Sequence, residues 1–361
     1  MRRIFLFGTL VFLISCALLR PITDNAQQRE PDARSAKEFE KHQTEKLLGV
    51  KLQNFPDPQG VEDFDGFPAK VPTSQFTVQE ISVRPAPVSP DPGYRSFLKA
   101  QAPDGSVYEA YSGRGEAQVI AGWRPQSSAE NTRQLYGTHH GYGYNPQNVY
   151  IGKRVGGRIS PMLFFPDVGS HTSAPYHFAI DNRGLVHLIV ADVNIFQENE
   201  LDLYWVMGDP RSGKWTAAWL IDHRGFTFAS YPWSGAWGDK VNVLWHWDAP
   251  GKRSKKAGNV GIFFVQWSPA GFGRKERVIE EAPLYWDAAI DPRTGRLFLV
   301  YATESGLYVT SRPEGGSWMR PSRVPDEQGS IDLSATSTRD GAFIVKTTFN
   351  KTKELLMKPL N

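Results

Sequence analysis

The feature that most constrains this chain is a cassette that recurs along its second half. Each copy runs from a small-residue strand through a turn with Asp and Gly into a strongly apolar strand. A gap, a second apolar strand and a segment containing Trp follow. His177–Gly184 leads into Leu185–Val190, then Leu201–Val206 and Gly213–Trp215. Trp237–Lys240 leads into Val241–Trp245 and Val260–Trp267. Asp287–Gly295 leads into Leu297–Tyr301, Leu307–Thr310 and Gly316–Trp318. Arg339–Gly341 leads into Ala342–Val345 and Glu354–Met357, and Pro103–Gly105 before Ser106–Tyr111 is a weaker early copy.

The turn glycines Gly184, Gly238, Gly295 and Gly341 stand 54, 57 and 46 residues apart. A four-stranded propeller blade takes ~40–50 residues, with insertions lengthening loops on one face. The apolar strands are nearly continuous rather than alternating, as when both faces of a sheet are covered. The expected fold is therefore all-β: a β-propeller of five or six, at most seven, four-stranded blades over residues 76–361. The period-two strand Phe76–Val83 is expected to close it. A sandwich is the rival, but it gives no reason for one strand order to recur at this interval.

Upstream, Met1–Arg3 and the apolar run from Ile4 read as a signal peptide over residues 1–19. That run ends at Leu19 after 16 residues, short of the ~20 of a spanning helix. The only cysteine, Cys16, closes a lipobox-like Leu13–Cys16, so the chain is expected to be exported: secreted, periplasmic or lipid-anchored at the cell envelope. Membrane contact is expected only through that anchor. Residues 20–75 are polar, then Pro-, Asp- and Gly-rich, and read as a tether or loosely ordered extension. The net charge of +3 includes Arg2 and Arg3, so no basic face for nucleic acid is expected.

Two further stretches resemble a known family. Ser311–Trp318 looks like a degraded Asp-box, the hairpin of BNR-repeat, sialidase-like propellers, with Pro313 in place of its Asp; Asp209–Trp215 is a looser copy. His171–Pro175 before Ile180–His187, and Ser230–Pro232 before Val241–Trp247, resemble the branch with propeller polysaccharide lyases and related glycosidases. Thr172 departs from that pattern, and His246–Asp248 occupies the stretch where its arginine is expected. The resemblance implies a polysaccharide or glycan ligand, with lyase or glycosidase chemistry. A non-catalytic propeller that binds glycan or protein is the alternative.

Propeller ligands sit where loops converge on the axis. A uronate lyase needs a base, an acid and a cation against the growing enolate charge. His171 or His140 is the candidate base, Tyr231 the acid, and Arg183 or Arg224 the neutraliser. Tyr144, Tyr176, Trp233, Trp237 and His246 are candidates for substrate binding, although the tryptophans serve packing equally well. His187, within an apolar run, reads as a core histidine, and Asp181 and Asp291 read as turn residues capping their own backbone. No cofactor is expected. A metal at His139 and His140 would lack spaced partners.

Overall fold

Each cassette folds into one antiparallel meander. The computed structural model describes residues 45–46, 48–55, 62–63, 76–85, 97–114, 147–155, 158–165, 176–193, 200–225, 232–247, 261–281, 283–327, 330 and 332–360. The signal-peptide stretch with Cys16, and most of the 20–75 extension, lie outside them.

Sheet 1 comprises Phe97–Gln101, Val107–Arg114, Gln147–Val155 and Arg158–Phe165. Sheet 2 comprises Tyr176–Ile180, Val186–Val193, Glu200–Asp209 and Lys214–Gly225. Sheet 3 runs Trp233–Trp237, Lys240–Trp247, Gly261–Ser268 and Glu276–Ile279. Sheet 4 runs Tyr285–Ile290, Leu297–Thr303, Gly306–Arg312 and the short Ser322–Arg323. Sheet 5 is built from Asp332–Ser337, Phe343–Thr348 and Lys351–Pro359, and its fourth strand is Phe76–Pro85 from the other end of the chain.

One turn opens sheets 1, 2, 4 and 5. The N–H groups of Ala102, Asp181, Asp291 and Thr338 donate to the carbonyls of Ser106, Leu185, Arg296 and Ala342. The N–H groups of Gly105, Gly184, Gly295 and Gly341 donate back to the carbonyls of those first four residues. The four glycines have φ between 72° and 83°, in the left-handed region that side chains resist. This requirement is what repeats in the sequence.

Packing explains the unbroken apolar runs. Along the second strand of sheet 2, Val186, Leu188 and Val190 enter the core shared with sheet 1, while Ile189 enters the core shared with sheet 3. In sheet 3, Val241, Val243 and Trp245 face sheet 2 and Leu244 faces sheet 4. In sheet 4, Leu297, Leu299 and Tyr301 face sheet 3 while Phe298, Val300 and Ala302 face sheet 5. Every residue of Leu297–Thr303 is buried. Alternate residues thus fill two different cores, and each fully buried aliphatic or Phe contributes ~1.5–3 kcal/mol.

The first strands of successive sheets lie side by side, 1 with 2 through to 4 with 5. Four-stranded meanders stacked face to face in chain order, first strands adjacent, are the plan of a β-propeller, not of a two-sheet sandwich. Five such sheets stand among the described residues. Phe76–Pro85 ties the start of the repeated region to its last strand by pairing with Lys351–Pro359, and Phe76 sets its ring edge-on to Phe298 and Phe343.

The described part of the 20–75 segment is docked. Leu52–Asn54 adds a parallel strand to the outer edge of sheet 2, and Glu62–Asp63 does the same on sheet 3. Leu48 and Leu52 enter the core between sheets 1 and 2, and Phe55 that between sheets 2 and 3. Buried Lys275 holds its ammonium 4.8 Å from the Phe55 ring while donating to the Ile221 carbonyl at 2.9 Å.

Candidate functional site

The hairpin turns of sheets 2 to 5 lie against one another at one end, the hairpin end: the Asn182 N–H donates to the Gly238 carbonyl, Gly295 packs on Trp237 and Gly341 on Arg293. Their first strands therefore begin together at the other end, here the leading end. This polarity sorts the residues singled out in the sequence. Tyr176 and Trp233 begin the first strands of sheets 2 and 3. Trp233 pairs with Leu244, so His246, two residues further on and opposite Ile262, belongs to the same leading end. Arg183 and Trp237 stand at the hairpin end. His140, Tyr144, His171 and Tyr231 lie outside the described residues.

At the leading end the first strands are laced by side chains. His177 Nδ1 accepts the backbone N–H of Ser234 at 3.0 Å and lies 3.1 Å from its hydroxyl, so the neutral ring carries its proton on Nε2. The ring stacks on Trp233 with centroids 5.9 Å apart. Asp287 does the same work two sheets on. Its Oδ1 accepts the N–H of Ala288, and its Oδ2 accepts the N–H of Ala335 in sheet 5, both at 2.9 Å. His177 and Asp287 each stand four residues before the turn aspartate, Asp181 or Asp291. One register position thus supplies an acceptor for the next sheet's backbone.

Around this laced centre the leading end exposes apolar surface. Leu284 and Tyr285 at the start of sheet 4 are 55% and 44% exposed, and Phe349, in the turn after Phe343–Thr348, is 45% exposed. Leu284 is held by its N–H to the Ala302 carbonyl at 2.8 Å. Tyr176 and Trp233 are buried, at 7% and 9%. No motif in the sequence singles out Leu284, Tyr285 or Phe349. Registering the first strands on the turn residue would have placed Tyr285 at a strand start.

The hairpin end of sheet 2 holds a saturated polar network. Asp181 Oδ1 accepts the N–H groups of Arg183 and Leu185, at 2.9 and 3.0 Å. Its Oδ2 accepts the Arg183 guanidinium and lies 3.2 Å from His187 Nε2. Burial pushes the Asp181 carboxyl up, but the bonds from His187, Arg183 and Leu185 outweigh it and hold the pKa down at about 2. Burial lowers the His187 pKa, only partly opposed by Asp181, so the ring is neutral. Trp205 donates its indole N–H to His187 Nδ1 at 3.2 Å, which leaves the imidazole proton on Nε2, aimed at Asp181. Arg183, committed to Asp181, also lies over the Trp267 ring at 5.0 Å. Trp237 packs on Gly295, where a Cβ would come within 2.6 Å of its ring.

The Asp-box-like stretches are structural corners between third and fourth strands. Trp318 is fully buried and Trp215 donates its indole N–H to the Phe164 carbonyl of sheet 1 at 2.8 Å. Among the described residues no cluster of His, Cys, Asp and Glu could hold a metal ion.

No family model matches the chain, and no curated protein sequence matches it. Solved structures with a similar arrangement include a protein of unknown function from Dyadobacter fermentans DSM 18053, at 11% identity and TM-score 0.45, covering 73% of this chain and 76% of that one. Another is the fucose-specific lectin from Aleuria aurantia, at 11% identity and TM-score 0.42, covering 70% of each chain. A third is an alpha-L-arabinanase from Penicillium chrysogenum complexed with arabinobiose, at 12% identity and TM-score 0.41, covering 75% and 79%. The propeller architecture itself rests on the chain's own strand pairing.

Proposed function

We propose that this chain is an exported, five-bladed propeller that binds extracellular polysaccharide at its leading end. The observation that carries the reading is the exposed apolar side chains of the leading end: Leu284 and Tyr285 at the start of sheet 4, and Phe349 in the second turn of sheet 5. Aromatic faces exposed in this way suit the C–H faces of sugars. Supporting binding over turnover, His177 and Asp287 are engaged on backbone N–H groups at the leading end, and Arg183 is paired with Asp181 at the hairpin end. Lyase or glycosidase chemistry would fall to His140, His171 and Tyr231.

The test is a panel of acidic and neutral glycans offered to the mature protein, with binding, reducing-end release and unsaturated product all followed. Saturable binding without product is expected. Tyr285→Ala should weaken it about tenfold, ~1.4 kcal/mol, within the ~0.5–1.5 kcal/mol of one aromatic contact. Unsaturated product would assign a lyase instead, and affinity unmoved by Tyr285→Ala would remove the rim from the site. Cys16 is the proposed lipid attachment point. Membrane-fraction protein that Cys16→Ala leaves in place would refute it.

A further inference from the structure

The hairpin end of sheets 4 and 5 carries a second feature, independent of the leading-end reading. The turn after Tyr285–Ile290, the corner after Gly306–Arg312 and the turn before Phe343–Thr348 enclose a cleft of about 420 Å³. That lies within the ~300–1,000 Å³ of small-ligand sites. Three cations, Arg293, Arg296 and Lys358, and three carboxylates, Asp291, Glu314 and Asp340, line it.

The charges do not cancel inside the cleft. Asp291 is 4% exposed, and its oxygens are occupied by the Arg293 N–H at 2.9 Å and the Thr294 hydroxyl at 2.6 Å, with Arg293 Nε 3.7 Å away. Glu314 turns its charge outward to the Lys240 ammonium and the Gln266 amide. Asp340 accepts the Thr338 hydroxyl. Neither Arg296 nor Lys358 has a carboxylate within 4 Å among the described residues, and Lys358 acts on the Asp340 carboxylate only from further off. Two cations therefore line the cavity with one exposed carboxylate against them.

We propose that this cleft binds the anionic group of a small ligand, a carboxylate or a phosphate, between Arg296 and Lys358. Arg296 offers a planar fork that suits either oxyanion, and Lys358 a point charge. Titration calorimetry with glucuronate, inorganic phosphate and glucose tests it. Glucuronate or phosphate should bind saturably and glucose should not, and the tighter anion identifies the source of the charge. Arg296→Gln with Lys358→Gln should cut anion affinity at least tenfold while leaving the ligand-free melting temperature unchanged. A single Lys358→Gln change, at an exposed side chain, provides the same test should the double variant unfold, with a loss of severalfold expected. Anion affinity unchanged in these variants, glucose binding equal to glucuronate, or no saturable anion binding would each overturn the proposal.

Discussion

At the scale of single residues, the informative group is Asp181 with the histidine and arginine it holds. A carboxyl that titrates at ~3.9 in an unfolded chain and at about 2 here contributes ~2 kcal/mol of stability. Because the folded value is depressed, that contribution is complete above about pH 4 and is lost as pH falls through the folded value. His187, also lowered, acts in the same direction earlier: below ~6.5 the unfolded chain takes up a proton that the buried ring refuses. Urea melts from about pH 7 to about pH 3 should show stability falling throughout, and Asp181→Asn should flatten the acid limb. An acid limb unaltered in the variant would show that Asp181 does not carry it.

Single residues also mark where the sequence stopped being informative. His177 and Asp287 look unrelated as letters, an imidazole and a carboxylate, yet they occupy one register position and both accept a neighbour's N–H. Tyr285, between Leu284 and Trp286, reads like any packing aromatic. Its exposure depends on where a strand begins, which periodicity alone does not give.

At the scale of elements, the second and third strands of sheets 2 to 5 were largely legible, as was Phe76–Pro85, while the other outer strands were not. A second strand such as Leu297–Thr303 is visible because its two faces enter two cores. The fourth strand of sheet 4 is two residues long, too short for any period, and buried Trp318 lies before it without strand pairing. Leu52–Asn54 and Glu62–Asp63 fail for the same reason. The turn glycines were legible because φ allows little else, and two of them separate conformation from crowding. At Gly184, φ 77°, an added Cβ would have nothing within 4 Å, whereas at Gly295, φ 72°, that atom would lie 2.6 Å from the Trp237 ring. Gly184→Ala should cost ~1 kcal/mol. Gly295→Ala should cost a further ~1–3 kcal/mol for overpacking. Equal losses in denaturant melts would mean that Trp237 gives way freely.

At the scale of the whole molecule, the leading end has a rim only because successive sheets share an axis, and the two ends of the repeated region are tied together in sheet 5. Thr77 pairs with Lys358 across that junction, and opposed residues of an antiparallel pair lie ~4.5–5.5 Å apart at Cα, inside the ~4.4–6.8 Å range of disulfides. Cys16 is the only native thiol, and the expected cleavage or lipidation removes it from the background. The direct measurement is therefore oxidation of the Thr77→Cys, Lys358→Cys double variant of the mature protein, read by peptide mass mapping. Closure by Phe76–Pro85 gives one intramolecular cross-link formed in near-full yield, with a raised melting temperature. Two free thiols after oxidation of folded protein would contradict closure by Phe76–Pro85, and with it the axis on which the rim depends.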